Sequence, residues 1–183
     1  PRKGQRRVLR AVARLRAEGR AVAGEPARLA PGRAIDDAGR LSRAQGCLLG
    51  QVAGDSLGGL VEFQAGRAIR EAHPDGPRRL VDGGHWDLLA GQPTDDSEMA
   101  LALARSILGR GRFEREAARE AYRDWMRSSP FDVGGTVAAA LRDRPNPASQ
   151  ANGSLMRASP LGILAHALSP AQAAELARQD SSL

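Results

Sequence analysis

Residues 42–60 read Ser42-Arg43-Ala44-Gln45-Gly46-Cys47-Leu48-Leu49-Gly50-Gln51-Val52-Ala53-Gly54-Asp55-Ser56-Leu57-Gly58-Gly59-Leu60. This stretch decides the fold class. Ser42 followed by Gln45 has the spacing of a capping box, in which two side chains satisfy the first free N–H groups of a helix. The apolar residues behind it recur at helical spacing, so Cys47, Leu48, Val52 and Leu60 are expected to face a core. Gly46, Gly50 and Gly54 predict a smooth stripe for close packing of another helix. Gln51 and Asp55 interrupt the stretch and speak against a membrane span. Gly58-Gly59 predicts the helix end.

Downstream the pattern repeats as helix after helix. A Gly/Pro/Asp-rich loop runs through Asp75-Gly76-Pro77 and Gly83-Gly84 to Gly91-Gln92-Pro93. A helix is then expected over 94–109, with Met99, Leu101, Leu103, Ile107 and Leu108 on its apolar face and Gly109 or Gly111 as its C-terminal cap. Residues 113–127 predict a charged helix carrying Tyr122, Trp125 and Met126. Asp132 is expected to cap a short helix holding Val133, Val137 and Leu141, which Pro145 and Pro147 end. Residues 154–168 predict another helix, and Ser169-Pro170 opens the last one. No strand alternation and no repeat is evident, so the class is all-α.

Upstream the chemistry differs. The chain has 183 residues and a formal net charge of +6. Residues 1–43 hold 12 Lys and Arg against 4 Asp and Glu, whereas residues 44–183 hold 15 against 17. The basic character belongs to the leading segment alone. Residues 1–40 are therefore expected to be a basic, partly helical or disordered extension, and 41–183 the folded domain. Within the extension, Val8, Val12 and Leu15 mark a thin-striped helix over 5–22. Nucleic-acid contact by residues 1–43 is the minority reading of that charge; a solvated arm, in an arginine-biased composition, is the favoured one. An aromatic share of 3% speaks against a binder that stacks single-stranded bases.

Cys47 is the single cysteine, which excludes a disulfide within the chain and a cysteine-based zinc site. It is read as a small buried core residue and fits a reducing cytoplasm. No stretch is long and apolar enough to span a bilayer, and no secretory signal pattern opens the sequence.

Chemistry concentrates at Pro93-Thr94-Asp95-Asp96-Ser97-Glu98. Acids suit the first turn of a helix because they complement its dipole. Adjacent carboxylates and a hydroxyl also form a hard-oxygen set suited to Mg²⁺, Ca²⁺ or Mn²⁺. Taken alone, the dipole reading stands ahead. Asp55 lies in an apolar helix, where an unpaired acid is costly. Glu62, between Val61 and Phe63, is either a poised acid or base or a solvated residue. Asp132 precedes glycines that would let a ligand approach backbone amides, and Asn152-Gly153-Ser154 is a polar turn opening a helix. His73, His85 and His166 lack ligand spacing, and neither a Gly-x-Ser-x-Gly elbow nor a phosphate-cradling Gly-rich Lys loop occurs.

The order of these motifs resembles one family. The Gly46–Gly58 stretch with Glu62 looks like the opening helix of the ADP-ribosylglycohydrolases. Pro93-Thr94-Asp95-Asp96-Ser97-Glu98-Met99 resembles that family's Thr-Asp-Asp metal motif. Trp125 with Ser129-Pro130-Phe131-Asp132-Val133-Gly134, then Asn152-Gly153-Ser154-Leu155-Met156-Arg157 with Pro160 and Gly162, are similar to its next two blocks. The resemblance implies an all-α fold around a cleft with two Mg²⁺ ions, sometimes Mn²⁺. It implies hydrolysis at ribose C1″ of ADP-ribose attached to a modified protein or a small molecule. By this resemblance Thr94, Asp95 and Asp96 are metal ligands and Glu62 and Asp132 are catalytic. Gly134, Asn152, Gly153 and Ser154 would receive ribose and diphosphate. The family's second acidic motif, Asp-x-Asp, does not follow Asp132. The expectation is therefore the front portion of such a domain with an incomplete metal site. The alternative is a member that binds ADP-ribose or a protein partner without turnover.

Overall fold

The computed structural model describes residues 37–183. The helix expected over 5–22 lies outside them. Seven α-helices follow: α1 (Ala38–Gly58), α2 (Gly66–Ala72), α3 (Asp95–Arg110), α4 (Arg115–Arg127), α5 (Gly135–Leu141), α6 (Ser159–Leu164) and α7 (Pro170–Ser181). Short 3₁₀ turns occupy Asn152–Ser154 and Ala165–Ala167. Among the described residues there is no strand; one bridge joins Gly83 and Leu88. The all-α expectation holds.

The core forms where helical periodicity brings apolar residues onto facing stripes. Met99 and Leu103, one turn apart on α3, and Ala118 and Tyr122, one turn apart on α4, are all fully buried. Val137 and Leu141 of α5, Leu161 of α6 and Leu183 complete the cluster. Burying a side chain such as Leu103 contributes about 1.5–3 kcal/mol. Gly111, in the left-handed conformation at φ 70°, ends α3 and lets α4 fold back against it.

A buried polar network ties the last helix to this core. Arg157 Nε donates to Asp180 Oδ2 at 2.9 Å, and its Nη2 donates to the Asp180 carbonyl at 2.7 Å. Tyr122 donates to Asp180 Oδ1 at 2.6 Å, and the Arg157 guanidinium lies 4.3 Å from the Tyr122 ring centroid. Burial pushes the Tyr122 phenol well above its ordinary pKa, so it remains a donor.

Several local expectations are overturned. Asp37, not Ser42, caps α1; its side chain accepts from Arg40 N at 2.9 Å, and Ser42 lies inside the helix. An earlier cap with good geometry leaves the later one without free N–H groups to satisfy. Cys47 is exposed rather than buried. A Cβ added at Gly46, Gly50 or Gly54 would meet nothing within 4 Å, so among the described residues no helix packs on that stripe. Asp132 does not cap α5, which starts at Gly135 with Gly134 as the cap residue. The helix expected over 154–168 is broken, because Pro160 favours the first turn of a helix and so starts α6 afresh at Ser159. Ser169 does form a capping box with Gln172.

Candidate active site

The site gathers at the mouth of α3, where four segments converge. The C-terminal part of α1 brings Asp55, and residues 58–64 bring Glu62. The first turn of α3 brings Thr94, Asp95 and Asp96, and the segment before α5 brings Asp132 and Gly134.

Asp55 explains how an acid sits in an apolar helix. Its carboxylate accepts from Thr94 N at 3.0 and 3.1 Å and from Thr94 Oγ1 at 2.7 Å. It also accepts from Ser97 N at 3.1 Å and Ser97 Oγ at 2.6 Å. Thr94 makes no capping bond of its own. Asp55 thus caps α3 from another helix, satisfying first-turn donors that a local side chain normally satisfies. Its oxygens are engaged, which leaves it a holder of the motif. The Thr94 hydroxyl proton points to Asp55, so the oxygen's lone pairs remain available to a cation.

Asp95 is buried, and its Oδ2 accepts from Gly134 N at 3.3 Å, which joins the α5 entrance to α3. Burial raises its carboxyl pKa, against the Gly134 N–H. Asp96 is pushed up to about 6, first by burial and then by Asp55, Asp95 and Glu62. Asp132 is likewise pushed up to about 6 by burial, Asp95, Glu62 and Asp96. Burial and nearby acids raise Glu62 as well, while Trp86 and His85 oppose the shift. The charged groups acting on Asp95, Asp96 and Asp132 are all other acids.

Such a cluster carries an unmet demand for positive charge. Together with the free lone pairs of Thr94, the donor chemistry fits a hard divalent cation. Among the described residues, however, no three His, Cys, Asp or Glu side chains converge as a ready-made metal cage. The fit is therefore that of a partial donor set.

The turn at 152–154 stands apart from the acids. Asn152 is exposed and makes no hydrogen bond to them, and Ser154 pairs with Ser181 at 3.0 Å. A Cβ on Gly153 would lie 2.6 Å from Val137 Cγ2, so only glycine lets the turn rest on α5. Gln51 links this region to α3, donating to the carbonyls of Met156 at 2.7 Å and Asp96 at 3.1 Å and pairing with Ser159.

Three contributors escaped the sequence reading. Gln51 and Ser97 look like ordinary polar helix residues. Trp86 lies in a loop, and its signal was rarity, being one of two tryptophans in a chain poor in aromatics. Its ring meets Phe131 at 5.8 Å and His85 at 4.8 Å between centroids. Glu98, on the same turn as Asp95, accepts from Trp125 Nε1 at 2.7 Å, and burial, Asp95 and Asp55 raise its carboxyl pKa against that bond.

The ADP-ribosylglycohydrolase family model matches residues 36–183. The chain is 41% identical over 101 residues to the ADP-ribosyl-[dinitrogen reductase] glycohydrolase of Rhodospirillum rubrum, covering 55% of this chain and 34% of that protein. It is 33% identical over 147 residues to the ADP-ribosylarginine hydrolase Tri1 of Pseudomonas putida, covering 70% and 38% respectively. A solved structure described as an ADP-ribosylglycohydrolase-related protein complex superposes with a TM-score of 0.65 at 32% identity, over 78% of this chain and 49% of that one. The chain thus spans between 34% and 42% of the length of the curated relatives it matches. Because the family match takes in all the described residues, from the cap of α1 to Leu183, the chain belongs to the ADP-ribosylglycohydrolase family.

Proposed function

We propose that this chain supplies the catalytic face of a hydrolase that releases ADP-ribose from a modified protein or small molecule by metal-assisted cleavage at ribose C1″. The observation that carries the reading is the group Glu62, Asp95, Asp96 and Asp132, in which Asp95 raises the pKa of Glu62, Asp96 and Asp132, and Glu62 raises those of Asp96 and Asp132. The relatives named as acting on ADP-ribosylarginine and on ADP-ribosylated dinitrogen reductase support ADP-ribose as the group released.

In this reading Thr94, Asp95 and Asp96 hold Mg²⁺, or Mn²⁺ in its place. The bound ion would supply positive charge among the acids and orient ribose hydroxyls and water. Glu62 and Asp132 are the groups for proton transfer. A carboxylate beside the reacting centre can take a proton from attacking water, and its partner carboxyl can give one to the leaving group. As the C1″–acceptor bond breaks, the acceptor gains a proton and ADP-ribose leaves with a hydroxyl at C1″. The Gly134 amide and the Asn152-Gly153-Ser154 turn would receive ribose and diphosphate, since backbone N–H groups at helix entrances favour anions.

Release of ADP-ribose from an ADP-ribosylated arginine protein, with Mg²⁺ and with EDTA, tests the activity. Glu62→Gln and Asp132→Asn should each lower the rate at least about a hundredfold. Activity that survives EDTA or both substitutions overturns the assignment. A second reading is favoured by the partial donor set: the chain holds ADP-ribose without turnover. Calorimetry showing ADP-ribose binding, with no release from any linkage offered, would select it.

A further inference from the structure

Trp86 sits between two acid–aromatic pairs. Glu62 is followed by Phe63, and Asp132 is preceded by Phe131. The Trp86 ring meets Phe63 edge-on at 6.4 Å and 79°, and Phe131 at 5.8 Å and 63°. Its indole N–H faces both neighbouring carboxylates, opposing the upward shift of each. Yet the buried Nε1 completes a hydrogen bond with neither. A buried donor without a partner is costly, and native structures rarely keep one without a use.

The loop that carries Trp86 is built to hold it there. Gly83 N donates to Leu88 O at 2.9 Å and Leu88 N donates to Gly83 O at 2.7 Å, closing the loop at its base. Leu88 is 2% exposed and anchors it. Gly84, at φ 74°, presses on the Gly59 carbonyl so closely that a Cβ would run into it. The loop is thereby fixed to the end of α1, a few residues before Glu62.

We propose that Trp86 is a positioning residue that sets the spacing of Glu62 and Asp132 and gives its N–H to one of them when ADP-ribose binds. One donor facing two acceptors completes a strong bond with only one at a time. The carboxylate that receives the N–H is held in place, and the other stays free for the reaction. This inference rests on the functional reading above, because ADP-ribose is the ligand taken to draw the two acids together.

The test uses the full chain labelled with ¹⁵N, in Mg²⁺ buffer, and follows its indole N–H resonances. There are two, from Trp86 and Trp125, and Trp86→Phe identifies which is which. Trp125 already donates to Glu98 and serves as the internal reference. Glu62→Gln and Asp132→Asn should each move the Trp86 resonance in the unliganded chain. ADP-ribose should move it downfield and leave that of Trp125 in place. Trp86→Phe, which keeps a ring and loses the N–H, should weaken ADP-ribose binding about tenfold by calorimetry. ADP-ribose binding with a silent Trp86 resonance overturns the inference and leaves the functional reading standing. Absence of ADP-ribose binding by the wild-type chain overturns both. If Trp86→Phe fails to fold, Trp125→Phe assigns the resonances, and a downfield shift of the wild-type Trp86 resonance, as a new hydrogen bond gives, supports the inference, whereas an unmoved or upfield one overturns it.

Discussion

Helices α1 and α3 come from similar apolar runs and meet opposite fates. On α3, Met99 and Leu103 have no exposure, and the helix runs through the core. On α1, Leu49 is 70% exposed, and Ser56 alone is buried in 21 residues. The difference teaches that periodicity announces a helix, whereas burial depends on a neighbour that periodicity does not name. The part of α1 that is held is its C-terminal part, where Gln51, Asp55 and Ser56 bond to α3 and to the segments around it. That anchoring is polar and lies at the site.

Substitutions at four positions would break or sharpen the contrast. The largest effect is expected at the centre of α3, where Leu103→Ala should cost about 2–5 kcal/mol in urea unfolding, because it leaves a cavity. A loss below about 1 kcal/mol would mean that the α3 core is not what holds the fold. Next comes the link between the two helices. Asp55→Ala strips the acceptor from Thr94 N and Ser97 N and should cost about 3 kcal/mol, while Asp55→Asn should cost less.

The third concerns charge crowded at the mouth of α3. An acid whose folded pKa is raised to about 6, as for Asp132, binds its proton more tightly when folded. Its stabilisation is present below about pH 4 and is lost as pH rises through about 6. Asp132→Asn should therefore match wild type near pH 4 and exceed it at pH 7. After allowance for solvent screening the gain is about 1 kcal/mol. A difference that does not change with pH would contradict the crowding. The smallest effect lies on the open stripe of α1. Gly50→Ala should stabilise by about 0.5–1 kcal/mol, since helix propensity improves and the new methyl meets nothing. A destabilisation there would show that something covers this face in solution.

Much of the fold was legible because its signals are local. Gly58-Gly59, the Ser169-Pro170 helix start and the Met99/Leu103 spacing each act within a turn or two of themselves. Ser42 misled because a capping box is only a spacing, and Asp37 had already satisfied the helix start. Cys47 and the glycine stripe misled because small apolar residues read as buried wherever they fall on a helix. At the site, Thr94-Asp95-Asp96 stood out by its own density of acids. Glu62 and Asp132 stand 33 and 36 residues away from Asp95 and Asp96 respectively, and only the fold makes them neighbours. Trp86 was illegible for the same reason: its meaning lies in Phe63 and Phe131, which flank the acids from two other segments.

The cap that Asp55 places on α3 has a consequence for exchange with solvent. The first amides of a helix ordinarily trade their hydrogens quickly, having no carbonyl partner within the helix. Here Thr94 N and Ser97 N are bonded to a carboxylate from α1. Their hydrogens should leave only when α1 and α3 part, so the entrance to the site would exchange as slowly as a helix interior. A deuterium-exchange time course can therefore watch the two helices separate through these two amides.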